Sequence, residues 1–201
     1  MNARLALVVG AAVVLAGCGG GDKKSSATVT QPPTTATQPP TTATPPPQAI
    51  DTLANASTKP VTVQPTNRST ALLTAVRAAR HEGYDRIVFE FANAVPGYDV
   101  RYVPAPIHQD GSGQAVAVKG AHLLRVRMGN ALDADLTKPA APQTYTGPRR
   151  FDPGTPEIAE LVRVGGFEAA LTWVAGLRDR VDFRVTTLQS PPRLIVDVRN
   201  H

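Results

Sequence analysis

The feature that most limits what this chain can fold into is a seven-residue phrase written twice. Gln31-Pro32-Pro33-Thr34-Thr35-Ala36-Thr37 recurs as Gln38-Pro39-Pro40-Thr41-Thr42-Ala43-Thr44, and Pro45, Pro46 and Pro47 follow at once. Proline holds φ at about −65° and has no amide hydrogen to donate, so a run of this kind favours extended polyproline II. Seven residues with no apolar stripe bury no face, which separates this repeat from a solenoid. Residues 18–66 therefore read as a disordered Thr/Pro-rich linker, and any core has to be built after it. At about 3.1 Å per residue the segment from Gly19 to Thr66 reaches roughly 150 Å when fully extended. A spacer that lifts a domain away from a surface is the expected role, and such Thr-rich stalks also offer acceptors for O-glycosylation.

Ahead of the linker, Arg4 gives a positive start and Leu5 to Ala16 form an apolar run. That run is short of the roughly 20 residues a membrane-spanning helix needs and fits the apolar stretch of a secretory signal peptide. It closes on Leu15-Ala16-Gly17-Cys18, which resembles the bacterial lipobox. The resemblance implies removal of residues 1–17 as a lipoprotein signal peptide, a diacylglyceryl thioether on Cys18 and an acylated amino group. Each buried CH₂ contributes about 0.8 kcal/mol, so one acyl chain holds weakly and two or more hold stably. The expected location is extracytoplasmic, on the outer face of the plasma membrane, with lipid as the first partner and a small added attraction from Lys23 and Lys24 to anionic headgroups. Cys18 is the single cysteine of the chain, which excludes an intramolecular disulfide and a cysteine-cluster metal site.

From residue 67 the pattern changes, and 67–201 are enough for one small core. Ile87, Phe89 and Phe91 alternate with Val88 and Glu90; Tyr98, Val100 and Tyr102 alternate with Asp99 and Arg101; Leu124, Val126 and Met128 alternate with Leu123, Arg125 and Arg127. Period two is the signature of half-buried strands. Pro96-Gly97, Asp110-Gly111-Ser112-Gly113 and Ser190-Pro191-Pro192 supply turns, and Arg184 to Leu188 and Arg193 to Val198 are two further strands. The stretch from Asn130 to Pro156 reads as a long loop with short extended pieces. Many short strands between Gly/Pro turns predict a compact β-sandwich.

Three segments are less clear from the residues. Ala71 to Arg80 has the Ala/Leu/Arg content of a helix yet also alternates like a strand. Phe167 to Leu177 fits either, and Thr172-Trp173-Val174 favours strand, with Phe167, Leu171 and Trp173 on one face and Trp173 in the core. Pro156 to Val162 predicts one or two helical turns, with Thr155 as N-cap, Pro156 at the first helical position and acids nearby.

Little in the chain points to catalysis. His81, His108, His122 and His201 lack metal-ligand spacing, and neither a nucleophile elbow nor a phosphate-binding loop occurs. Asp152, Glu157 and Glu160 could do acid–base work, but at a helix start they would be surface acids complementing the dipole. The net charge of +5 divides into +2 up to Lys59 and +3 beyond it, too little for a nucleic-acid binder.

Tyr84-Asp85-Arg86-Ile87-Val88-Phe89-Glu90-Phe91 and Ser190-Pro191-Pro192-Arg193-Leu194-Ile195-Val196-Asp197-Val198 resemble the first and last strands of AMIN-type domains. Gly97 to Tyr102, Asp110 to Gly113, Thr144 to Arg150 and Phe167 to Val174, in this order after a lipobox and stalk, are similar to the AMIN-like lipoproteins of actinobacteria. The resemblance implies a mainly β, two-sheet sandwich over residues 67–201, and it favours strand for Ala71 to Arg80. It also implies a non-catalytic envelope module, without a cofactor, that in some relatives binds peptidoglycan. Aromatic faces stack on sugars and arginine forks match carboxylates. On that chemistry the candidate ligand residues are Tyr98, Arg101, Tyr102, Tyr145, Arg149 and Arg150. The competing readings are a protein-interaction module of an envelope complex and a wall hydrolase using Asp152, Glu157 or Glu160.

Overall fold

The computed structural model describes residues 53–65 and 69–201. The signal peptide, Cys18 and the Thr/Pro repeat lie outside these residues. Two sheets pack against each other. The first has six strands, in the order β1 (Val61–Val63), β4 (Gly97–Val103), β7 (His122–Gly129), β11 (Ala170–Leu177), β10 (Ile158–Phe167) and β9 (Arg150–Phe151). The second has five, in the order β12 (Phe183–Gln189), β13 (Pro192–Arg199), β3 (Tyr84–Phe91), β2 (Ala71–His81) and β8 (Ala131–Leu132). A small hairpin of β5 (Ile107–His108) and β6 (Ala115–Val116) stands apart. No helix occurs among the described residues. The chain is a mainly β sandwich, as the alternating runs predict.

The core forms where the inward positions of both sheets meet. Ile87, Phe89 and Phe91 of β3 and Leu194, Val196 and Val198 of β13 face Leu124, Val126 and Met128 of β7 and Leu171, Trp173 and Ala175 of β11. Trp173 is fully buried, with Phe89 and Tyr145 edge-on to it at ring distances of 6.1 and 5.8 Å. That is the offset geometry aromatic quadrupoles prefer.

One strand carries both faces of the Ala71 to Arg80 ambiguity. Ala71 and Leu73 point inward, a bulge falls between Leu73 and Ala75, and Val76 and Ala78 then take over the inward side. An extra residue in one strand of a pair swaps the two faces. This is why no single alternation describes the segment.

The structure corrects three expectations. The helical turns predicted over Pro156 to Val162 are absent: β10 begins at Ile158. The amides of Glu157 and Ile158, which an N-cap would have served, donate instead to Oδ2 of Asp85 at 2.7 and 3.2 Å. Phe167 does not share a strand with Leu171 and Trp173. It ends β10 at 58% exposure, and Glu168-Ala169, both at positive φ (50° and 54°), turn the chain into β11. Tight hairpins need such dihedrals, and the usual Asn-Gly signal is missing here. Finally, the last part of the expected linker belongs to the fold. Leu53 is 1% exposed, Ser57 and Phe183 exchange two backbone hydrogen bonds, and β1 pairs with β4.

Candidate functional site

The β5–β6 hairpin packs on the outer surface of the six-stranded sheet, over β7, β10 and β11. Ile107 of the hairpin packs there with Leu123, Val162, Val164 and Val174 of the sheet in a second apolar cluster. Beside this cluster that surface is polar. Antiparallel pairing of β4 with β7 sets Arg101 opposite Arg125 and Asp99 opposite Arg127, all on the face turned away from the core. Arg101 grips Asp99 with two hydrogen bonds, one of them from Nε at 2.7 Å. Arg125 donates to Asp99 Oδ1 at 3.0 Å, and the Thr62 hydroxyl donates to Oδ2 at 2.7 Å. Arg127 is exposed and makes no ion pair among the described residues. Two guanidinium groups thus hold a single carboxylate, a third arginine stands across the strand pair from it, and the strip carries net positive charge.

Partial burial alone would raise the Asp99 pKa, but the hydrogen bonds from Arg101, Thr62 and Arg125 outweigh it and hold the carboxyl at about 2. The strip keeps its charge across the whole ordinary pH range. At the seam with the hairpin lies a cavity of about 260 Å³ with an apolar floor of Val103 and Val164. His108, Arg125, Asp110 and Thr172 bring polar groups to it. The Thr172 hydroxyl donates to Asp110 at 3.1 Å, while Arg125 Nε is buried without a hydrogen-bond partner.

The six residues expected from sequence fall in three places. Arg101 lies in the strip. Tyr98 and Tyr102, on the opposite side of the same strand, pack against the core. Burial pushes the Tyr102 phenol up to about 12; its hydroxyl donates to the Val181 carbonyl at 2.7 Å and accepts from the Val181 amide at 3.1 Å. The remaining three lie at the far edge, around β9. Tyr145 is buried against Trp173, with its hydroxyl donating to the Pro148 carbonyl at 2.7 Å. Arg150 pairs with Glu160 at 2.7 Å and donates to the Ala117 carbonyl at 2.8 Å. Arg149 is the open one, its side chain 62% exposed and 3.9 Å from Asp133. Asp133 also pairs with Arg163 at 2.9 Å.

Arg125 and Arg127 were not among the expected residues. The alternation around Val126 already turns them away from the core. What sequence could not supply is the neighbour: nothing local says that β7 lies beside β4 and brings them to Asp99. The candidate acids each have other partners. Asp152 accepts from the Gly154 amide at 2.8 Å, Glu157 from the Asp179 amide at 2.8 Å, and Glu160 from the Lys119 amide at 3.0 Å. Among the described residues no three His, Cys, Asp or Glu side chains come together as a metal site. No helix among them is long and apolar enough to cross a membrane.

A family model for the AMIN-like domain matches residues 71–200, from the start of β2 to just past the end of β13. No curated protein matches the chain, and no solved structure does. The β1 segment, with Thr62, lies outside the matched residues and completes the Asp99 cluster from there. Domains of this kind are extracytoplasmic, envelope-associated and generally non-catalytic modules. The match spans well over half of the 201 residues, and the chain belongs to the AMIN-like family.

Proposed function

We propose that this protein is a lipoprotein, held to the outer face of the plasma membrane through Cys18, whose AMIN-like module binds peptidoglycan. The observation that carries the wall-binding half is the strip of Arg101, Arg125 and Arg127 on one outward sheet face, the first two bonded to Asp99 and the third exposed beside it. Planar guanidinium forks match carboxylates, and peptidoglycan repeats carboxylates along a polymer. One exposed ion pair contributes only about 0.2–1 kcal/mol, so useful retention comes from several weak contacts engaging one polymer. The stalk supports the anchoring half, since it gives the module reach into the wall.

Sedimentation of the detergent-solubilised full chain with isolated wall sacculi tests the binding. Arg101→Gln, Arg125→Gln and Arg127→Gln together are expected to abolish most of the pelleting. Raising salt to about 0.5 M should release the parent, because surface charges are screened within a few ångströms at that strength. Lowering the pH from 8 to 5 should leave the strip itself unchanged, since Asp99 stays ionised down to about 2. Arg149→Gln with Arg150→Gln serves as the comparison and should have the smaller effect, because Arg150 is already engaged by Glu160. A triple variant that pellets as well as the parent would remove the strip from the interaction. A parent that stays in the supernatant while it captures one envelope protein would replace the wall reading with a protein partner.

Cys18→Ser is the test of the anchor. The variant should leave the detergent phase in phase partitioning, or accumulate as the uncleaved precursor. Unchanged partitioning would contradict lipidation at that sulfur.

A further inference from the structure

A groove of about 420 Å³ opens beside Val103 and Pro104. Its walls are Val103, Pro104, Ala105, Val118, Ala121 and Leu123; its polar side chains are Tyr102, His122 and Arg180. No carboxylate lines it. The Arg180 guanidinium lies over the Tyr102 ring, 4.4 Å from its centroid, and makes no ion pair among the described residues. Tyr102 is itself fixed, since its hydroxyl is bonded to both the carbonyl and the amide of Val181, the residue after Arg180. The ring and the guanidinium therefore hold each other at the groove, with the fork's donors left open. A cation–π contact of this kind contributes about 0.5–1 kcal/mol at an exposed site, enough to reduce the freedom of a long side chain.

The opposite rim is equally determined. Gly120 sits at φ 124°, where a Cβ would run into the backbone of Gly176 and Leu177, and a Cβ on Gly176 would overlap the Lys119 carbonyl. The Ala121 amide donates to the Leu177 carbonyl at 2.8 Å and the Lys119 amide to Glu160. A pre-set, unpaired planar cation, short aliphatic walls and an imidazole select one kind of ligand. A sugar would leave its hydroxyls against Pro104, Val118 and Leu123. A carboxylate on a small aliphatic body would pair its charge and bury its methyl groups.

We infer that this groove binds the terminal carboxylate of a peptide chain ending in small apolar residues, with Arg180 as its anchor. The inference does not rest on the arginine strip. Two sources share the chemistry, a protein tail of L-residues and a wall peptide containing D-residues. The probes are acetyl-Ala-Ala in its L,L and D,D forms, each with a free and an amidated C-terminus. They are titrated into the isotope-labelled full chain in detergent and followed by amide resonances.

The free acid should shift the amides of Gly120, Ala121, His122 and Leu123, with a Kd of roughly 1 mM, a modest value suited to one charged anchor on a small ligand. The amidated probe should bind at least ~10-fold more weakly, equivalent to about 1.4 kcal/mol. Arg180→Gln should lose the same factor, and Arg180→Lys, which keeps the charge but not the fork, should lose less. A thermal melt confirms that each variant is folded. Stronger shifts with L,L or D,D identify the source. Equal binding of acid and amide, undiminished binding by Arg180→Gln, or no shift at these amides by about 10 mM would each overturn the inference.

Discussion

Trp173→Ala should lower the unfolding free energy by about 3–5 kcal/mol, the range for removing a fully enclosed large aromatic. The side chain is wholly buried between the two sheets, and its ring meets Phe89 from the opposite sheet and Tyr145 from the long loop. Both the transfer of that surface from water and the cavity left behind count against the variant. Domains of this size are stable by only about 5–15 kcal/mol, so a loss of this size is a large fraction of the total. Trp173→Phe should recover much of the loss. The indole nitrogen has no hydrogen-bond partner, so the smaller ring sacrifices packing and no polar contact. Urea unfolding followed by circular dichroism measures both. A Trp173→Ala unfolding free energy within about 1 kcal/mol of the parent's would show that the core is not centred on this residue.

Asp85→Ala should be of similar size, about 3–5 kcal/mol, by a different mechanism. Asp85 is fully buried at the start of β3. It accepts from the Glu157 and Ile158 amides, which lead into β10 of the opposite sheet, and from the Asn200 side chain at 2.7 Å. One carboxylate therefore ties both sheets and the C-terminal end together. Truncation leaves the Glu157 and Ile158 amides without their acceptor, each costing about 1–3 kcal/mol when water cannot reach it, and reduces the Asn200 side-chain amide to its bond with the His81 carbonyl at 3.2 Å. Asp85→Asn should lose less, since one oxygen still accepts, but its amide group will oppose a donor. The distinguishing measurement is hydrogen exchange. In Asp85→Ala the amides of Glu157 and Ile158 should exchange far faster than those at the centre of β11. Uniform acceleration across the domain would mean that Asp85 contributes only to global stability.

The sequence was readable where the physics is local. Alternation about Phe89, Val100 and Val126 identifies the inward side chains, because successive residues of any strand point to opposite faces. It failed where a distant group intervened. The stretch after Thr155 has the residue types of a helix start, yet Asp85 reaches across and claims the amides a helix would have used. Glu168-Ala169 lacks every usual turn residue but adopts two positive φ values, because pairing of β10 with β11 over most of their length holds the hairpin shut. The linker boundary was missed for a related reason. Leu53 and Val61 to Val63 are too few to show a period, and they are ordered only by the sandwich they lean on.

The candidate ligand residues divide in the same way. A tyrosine in an alternating run is assigned to a face by its neighbours. Tyr145 stands in an irregular loop, where nothing local announces that it will be buried against Trp173. An arginine's availability is less readable still, because it depends on whether an acid arrives from elsewhere in the chain. Glu160 occupies Arg150, whereas Arg127 and Arg180 have no such partner among the described residues.

By itself, then, the order of residues determined the strand class of the module and which side chains of its alternating runs face inward, since both follow from period two. Tertiary structure alone decided which strands became neighbours. That choice placed two arginines on Asp99, a third across the strand pair from it and one over Tyr102, because side-chain charge becomes a site only when long-range pairing settles what stands next to it.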